Sequence, residues 1–171
     1  MITRLVSPSD APEMAAVLTA NRDFLQPWEP IRPEDYYTEE GQRTYLEGAL
    51  HQVATGAAYP HVIIDDGRIR GRITLSAVSR GPFQSAGLGY WVAADANGRG
   101  LASAAVAEVA RFAFGELRLH RIEAGTQLHN AASQRVLERN GFRRYGVAPR
   151  YLRINGEWRD HLLFQLLSDD D

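Results

Sequence analysis

The stretch that most constrains the fold is GYWVAADANGRGLASAAVAEVARF, residues 89–112, in which a short apolar run leads through a glycine-rich turn into an alanine-rich segment. From Leu101 the apolar residues recur at helical spacing, which predicts a helix with one buried stripe to about Leu117. The run before the turn is typical of a strand. Glycines at a helix start let an anion approach free backbone N–H groups, so the turn faces either solvent or a ligand phosphate.

The remaining segments alternate between helical and strand patterns. Helices are predicted from Ser9 or Asp10 to about residue 21, over about 38–54 and over about 130–141. Strands are predicted at ITRLV, on both sides of Asp66-Gly67, at SAGLGYWVA, at HRIEAGTQL and on both sides of Asn155-Gly156. The proline-broken segment DFLQPWEPIRPEDYY is predicted as a loop. The order βααβββαβαββ predicts one mixed α/β domain over residues 1–168, followed by an acidic tail, 169–171.

Composition excludes several chemistries. The 171 residues contain no cysteine, which rules out disulfides, thiolate metal sites and a cysteine nucleophile. The five histidines show no metal-ligand spacing, and nothing suggests direct binding of nucleic acid. No apolar run is long enough for a signal peptide or a membrane span, so we expect a cytoplasmic protein without a membrane partner.

Two kinds of nucleotide site fit the glycine turn poorly. A phosphate loop needs a Lys-Ser/Thr pair to reach the outer phosphates and magnesium, and the turn lacks it. A dinucleotide turn follows its strand almost at once, whereas here AADAN intervenes, and no repeated βαβ units flank it.

The block VAADANGRGLAS, residues 92–103, closely resembles the acetyl-CoA loop of the GCN5-related N-acetyltransferase (GNAT) superfamily. Asn97, Gly100 and Ala102 occupy the positions of its Gln/Arg-x-x-Gly-x-Gly/Ala pattern, with asparagine shorter than the usual first residue. A second block, NAASQRVLERNGF at 130–142, resembles the motif Asn-x-x-Ser/Ala followed by a helix and Gly-Phe. NRDFLQPWEP and LRINGEWRDHLLF further resemble the RimJ/RimL-like branch, which acetylates the N-terminal alanine of ribosomal proteins.

This resemblance implies an α+β domain with a mixed, mostly antiparallel sheet of about seven strands and about four flanking helices. It also implies direct transfer of an acetyl group from acetyl-CoA to a primary amine, without a metal. The expected acceptor is the N-terminal α-amine of a protein such as a ribosomal protein, with alanine or serine first. A small amine as acceptor, or a non-catalytic coenzyme A sensor, remain alternatives, and a homodimer is expected through edge strands of the last hairpin.

The resemblance also implies roles for individual residues. Coenzyme A is expected to contact Trp91, Val92, Ala93, Asn97, Gly98, Arg99, Gly100, Leu101, Ala102, Ser103, Asn130 and Ser133. Ser133 is expected to protonate the leaving thiolate, and the alternative for Asn130 and Ser133 is helix capping. In relatives a glutamate acts as the general base, and this chain has Leu152 at that position. Glu123 is therefore the first candidate for the base, with Tyr151, Glu157 and Asp160 as others. Trp28 and Tyr90 are candidates for the wall of the acceptor site.

Overall fold

A seven-stranded mixed sheet forms the centre of the computed structural model, which describes residues 1–168. The expected acidic tail, 169–171, lies outside the described residues. The strands are β1 (Thr3–Leu5), β2 (Tyr59–Asp65), β3 (Arg68–Ser79), β4 (Ser85–Val92), β5 (Arg121–Gln127), β6 (Arg143–Ile154) and β7 (Glu157–Leu167). The expected number of strands and the mostly antiparallel sheet are confirmed, with order β1-β2-β3-β4-β5-β7-β6.

The α-helices are α1 (Ala11–Ala20), α2 (Arg22–Leu25), α3 (Glu39–Ala54), α4 (Leu101–Gly115) and α5 (Ala131–Arg139). Four of them match the predicted helices, and α3 begins where Thr38 caps it by accepting a hydrogen bond from the Gly41 N–H. The fifth, α2, is a four-residue helix within the segment predicted as loop, which also contains 3-10 turns at Gln26–Trp28 and Glu34–Tyr37. No helix within residues 1–168 is long and apolar enough to cross a membrane.

The pair β4–β5 is the parallel pair of the sheet, and it is short. Only Ser85–Gly87 of β4 pair with Arg121–Glu123 of β5. Beyond these residues the two strands separate, whereas β4 stays paired with β3 as far as Val92. The sheet is therefore open between β4 and β5 at its carboxyl-terminal side.

Two hydrophobic cores lie on opposite faces of the sheet. The α4 stripe of Ala105, Val106 and Val109 packs with sheet residues such as Ile73 on one face. Helices α1 and α3 cover the other face, where Trp91 packs in a second buried cluster. Because side chains alternate along a strand, Tyr90 packs against the first core and Trp91 lies in the second.

Candidate active site

The turn before α4 has the backbone conformation that an anion site requires. Gly98 and Gly100 have φ values of +74° and +80°, which favour glycine, and a Cβ at either position would meet no atom within 4 Å. Gly100 caps α4, and its carbonyl accepts from the Ala104 N–H at 3.0 Å. The N–H groups of residues 98–103 have no acceptor within residues 1–168. The turn therefore fits the phosphates of coenzyme A through its backbone.

Side chains around the turn hold its shape. Asn97 donates from Nδ2 to the Ala93 carbonyl at 3.1 Å, which ties the turn back to the end of β4. The Arg99 guanidinium lies 2.7 Å from Asp65 at the end of β2. The Ser103 hydroxyl accepts from Asn140 at 3.0 Å, so its own proton stays available to a ligand.

A cavity of about 680 Å³ fills the opening between β4 and β5 and reaches both faces of the sheet. On the α5 face it is lined by Tyr90, Asn130 and Ser133, and on the α3 face by Trp28 and Trp91, among others. The unpaired edge of β4 runs from this cavity to the glycine turn, which gives an extended ligand a strand to pair with. The structure thus brings six of the expected site residues, counting Tyr151, to one cavity, with the turn at the adjoining end of β4.

On the α5 face, hydroxyl groups meet at the cavity wall. Asn130 caps α5 by accepting from the Ser133 N–H at 3.1 Å, and its side chain also lines the cavity. The Tyr90 hydroxyl lies 2.8 Å from the Ser133 hydroxyl. Burial raises the pKa of Tyr90 to about 12, against the lowering effect of its hydrogen bond with Ser133. Tyr90 therefore keeps its proton at neutral pH, and this hydroxyl pair can deliver a proton to a leaving group.

On the opposite face the segment Gln26–Pro30 closes the cavity, and three contacts hold it there. Gln127 at the end of β5 donates to the Pro27 carbonyl at 2.9 Å. The Trp28 ring lies 5.2 Å from the His129 ring, centroid to centroid. The Asn155 N–H, in the β6–β7 turn, donates to the Glu29 carbonyl at 2.9 Å. The segment is thus tied to two parts of the chain that are distant in sequence, the end of β5 with the residues after it and the β6–β7 turn.

Three charged residues in this lining, Glu29, Arg72 and Arg153, were missed by the sequence analysis. Burial raises the pKa of the Glu29 carboxyl, and the positive charges of Arg32 and Arg72 offset part of that rise. Arg72 is buried, donates to the Tyr36 hydroxyl at 3.2 Å and lies 4.7 Å from the Tyr45 ring centroid. Glu29 follows Trp28 directly in the branch-like block, so that block held the available signal.

The β6–β7 hairpin contributes Tyr151 and His161 to the lining of the cavity. His161 is buried, lines the cavity and contacts the Arg159 carbonyl through Nδ1 at 2.9 Å. Its ring lies 5.6 Å from that of Tyr151, and a Cβ on Gly125 would meet both rings at 3.5 Å. Both rings therefore lie directly beside β5 at Gly125, at ordinary packing distance.

Glu123 is not among the residues that line the cavity. Its carboxylate accepts from the Tyr145 hydroxyl at 2.8 Å and lies 3.7 Å from Arg121. Leu152 does line the cavity, whereas Asp160 accepts from the Arg150 N–H and Glu157 pairs with Arg159. This placement gives no support to Glu123 as the base, because its carboxylate lies at the paired end of β5, away from the opening.

A glycine turn that fits phosphates, a free strand edge and a cavity open to both faces are the features expected of an acyltransferase that takes a long phosphate-bearing thioester from one side and a nucleophile from the other. A model of the acetyltransferase (GNAT) domain matches residues 1–143, and the chain belongs to this family.

Similar proteins agree with this class. The chain is 39% identical to "Probable N-acetyltransferase YjcK" of Bacillus subtilis, over 98% of this chain and 94% of that protein. It is 35% identical to the [ribosomal protein uS5]-alanine N-acetyltransferase of Escherichia coli, over 99% of this chain and 89% of that protein. Mycobacterium smegmatis RimJ, solved in complex with CoA-disulfide, superposes with a TM-score of 0.94 at 35% identity, covering 98% of this chain and 82% of that one. The expected acetyl-CoA-dependent N-acetyltransferase activity is confirmed.

Proposed function

We propose that this N-acetyltransferase acts on the N-terminal α-amine of a protein, with a ribosomal protein that begins with alanine or serine as its substrate. The observation that carries this proposal is the near full-length likeness to the uS5-alanine N-acetyltransferase of E. coli. The lining of the cavity supports it, because it includes Trp28, Tyr151 and the exposed Trp158. An aromatic wall of this kind suits a small first side chain on an extended peptide.

Coenzyme A would be held in three parts. The backbone N–H groups of residues 98–103 would bind the pyrophosphate, with the Ser103 hydroxyl as a further donor. The edge of β4 at Trp91, Val92 and Ala93 would lie along the pantetheine arm. Asn130 and Ser133 would lie at its reactive end, where Tyr90 supports Ser133 through their hydroxyl contact.

Acetyl transfer is then a single displacement reaction at the thioester carbon. The neutral amine attacks the thioester carbon, the new N–C bond forms and the C–S bond breaks. The Ser133 hydroxyl gives one proton to the thiolate, and the proton that the amine nitrogen loses replaces it. A peptide α-amine has a pKa of about 7.7–8.0, so roughly a quarter is neutral at pH 7.4, and a weak base suffices.

The test compares acceptors at equal acetyl-CoA concentration. Peptides that begin with alanine or serine are expected to be acetylated with a higher kcat/KM than spermidine, free alanine or an aminoglycoside. Mass spectrometry of the product should place the acetyl group on the α-amine. Preference for a small amine would refute the proposal, and tight coenzyme A binding without turnover of any amine would indicate a sensor.

A homodimer through the last hairpin is a further proposal. Strand β6 forms an edge of the sheet, and Tyr145, Val147 and Leu152 on it are each nearly half exposed. An unpaired edge with apolar side chains favours pairing with a second copy. Light scattering should give twice the mass of 19.0 kDa, and a monomer at micromolar concentration would refute this pairing.

A further inference from the structure

Glu29 presents a carboxylate to the cavity with no partner in the protein. Its side chain is partly buried, and its carboxylate forms no hydrogen bond or ion pair within residues 1–168. A carboxylate that is partly withdrawn from water and has no partner costs the fold some free energy, which favours a functional reason for its presence. A cationic ligand that enters the cavity would supply the missing partner.

Glu29 is also the only acidic residue in the lining of this cavity among residues 1–168. The carboxylates of Glu123, Glu157 and Asp160 are each engaged elsewhere, and Leu152 brings no titratable group. A carboxylate that binds the acceptor's ammonium group therefore has to be that of Glu29.

The segment that carries Glu29 is positioned before any substrate binds. Its neighbours Pro27 and Trp28 contact Gln127 and His129, and its own carbonyl accepts from Asn155. Pro27 and Pro30 also restrict the backbone on both sides. A side chain held in this way loses little further freedom on binding a ligand, which favours a binding or catalytic role.

The nearby cations leave the carboxylate free. Arg32 lies 4.8 Å from the Tyr36 ring centroid, and Arg72 contacts Tyr36 and Tyr45, so aromatic groups hold both guanidinium groups. Neither arginine forms an ion pair with an acid within residues 1–168. Their positive charges favour the ionised form of Glu29, and its carboxylate stays open to a ligand in the cavity.

We propose that Glu29 binds the α-ammonium group of the acceptor and takes its proton, a role that rests on the proposed function. The ammonium first gives one proton to the Glu29 carboxylate, which releases it to solvent. The neutral nitrogen then forms the N–C bond, and its second proton replaces the one that Ser133 gives to the thiolate as the C–S bond breaks. The sum is one amide, one thiol and one proton released.

The test uses Glu29→Gln in the full chain, with Glu34→Gln as the matched control. Glu34 lies five residues away, is exposed, pairs with Arg22 and does not line the cavity. With an alanine peptide, kcat of Glu29→Gln is expected to fall about 100-fold. The acid limb of its pH–rate profile should move up to the pKa of the free α-amine, about 7.7–8.0, because only amine that is already neutral can then react. Coenzyme A affinity, measured by calorimetry, should stay unchanged in both variants.

A second readout needs no turnover. Because burial raises the pKa of Glu29 above its unfolded value, the ionised carboxylate destabilises the free protein at neutral pH, and this effect is absent below about pH 4. Arg32, Arg72 and Tyr37 interact with it electrostatically. The other charged or titratable side chains near it in the cavity lining are those of Tyr151, Arg153 and His161. Glu29→Gln is therefore expected to melt at a higher temperature than wild type at pH 7.5, and at the same temperature near pH 4.

The outcomes separate this inference from the proposed function. If wild type acetylates the peptide and Glu29→Gln keeps more than half of kcat with the acid limb intact, Glu29 is not the proton acceptor while the peptide substrate stands. If wild type acetylates small amines but no peptide, both proposals fail. Equal losses of kcat in Glu29→Gln and Glu34→Gln would also overturn the inference, because a general effect of charge would explain them.

Discussion

Substitution of Gly100 by valine tests whether the glycine turn holds the phosphates of coenzyme A. Gly100 has a φ of +80°, and a β-branched residue adopts this conformation only at a cost of about 1–3 kcal/mol. Since an added Cβ would meet nothing within 4 Å, we expect no clash on top of that strain. The strain is relieved if the turn leaves its conformation, which moves the N–H groups that follow it. Each charge-assisted hydrogen bond lost contributes about 1.5–3 kcal/mol, so Kd for coenzyme A should rise at least about tenfold.

The matched control is Gly81→Val, between β3 and β4. Gly81 has a φ of +68° and equally open surroundings, and it lies at the end of β4 farthest from the opening. Urea denaturation should show a similar loss of about 1–3 kcal/mol in unfolding free energy for both variants. Calorimetry should show weaker coenzyme A binding for Gly100→Val alone. Equal coenzyme A affinities in the two variants would refute the assignment of the turn.

Three further substitutions probe the cavity. Tyr90→Phe removes the hydroxyl that contacts Ser133, so steady-state assays should show kcat reduced about tenfold. Because the two hydroxyl groups act together, the double variant with Ser133→Ala should lose less kcat than the product of the two single effects. Trp28→Ala should raise KM for an alanine peptide about tenfold and leave the calorimetric affinity for coenzyme A unchanged, because the ring lies on the acceptor side. Leu137→Ala removes a fully buried side chain and should lower the unfolding free energy by about 2–5 kcal/mol in urea, while a change below 1 kcal/mol would contradict its place in the core.

Local signals predicted most of the fold. The Asp66-Gly67 and Asn155-Gly156 pairs have positive φ at all four residues and form the β2–β3 and β6–β7 turns, because these residue types tolerate that conformation. Thr38 and Asn130 cap α3 and α5, since their side chains accept from helix N–H groups. These turns and caps are formed by residues that lie close together in the chain, so the sequence alone predicts them.

The part of the site that binds the acceptor amine depends on contacts between residues far apart in sequence, so it was harder to predict. Glu123 and Gly125 share a face of β5, but the short pairing of β4 with β5 places only the later residues at the opening. The contact of Tyr145 with Glu123 arises from the β6 register, which no local pattern specifies. Glu29 follows the 3-10 turn Gln26–Trp28, and its place over the cavity depends on contacts with Gln127 and Asn155.

The contacts of Pro27 and Glu29 with Gln127 and Asn155 determine the order in which the two halves of the site can form during synthesis. Gln127 lies 100 residues after its partner Pro27, and Asn155 comes later still. A chain made from its amino terminus thus completes the glycine turn well before the β6–β7 hairpin that holds the acceptor segment. During synthesis, the cofactor half of the site is therefore made before the half that admits an amine, and the sheet is completed only when β7 brings Leu162 and Phe164 into the core.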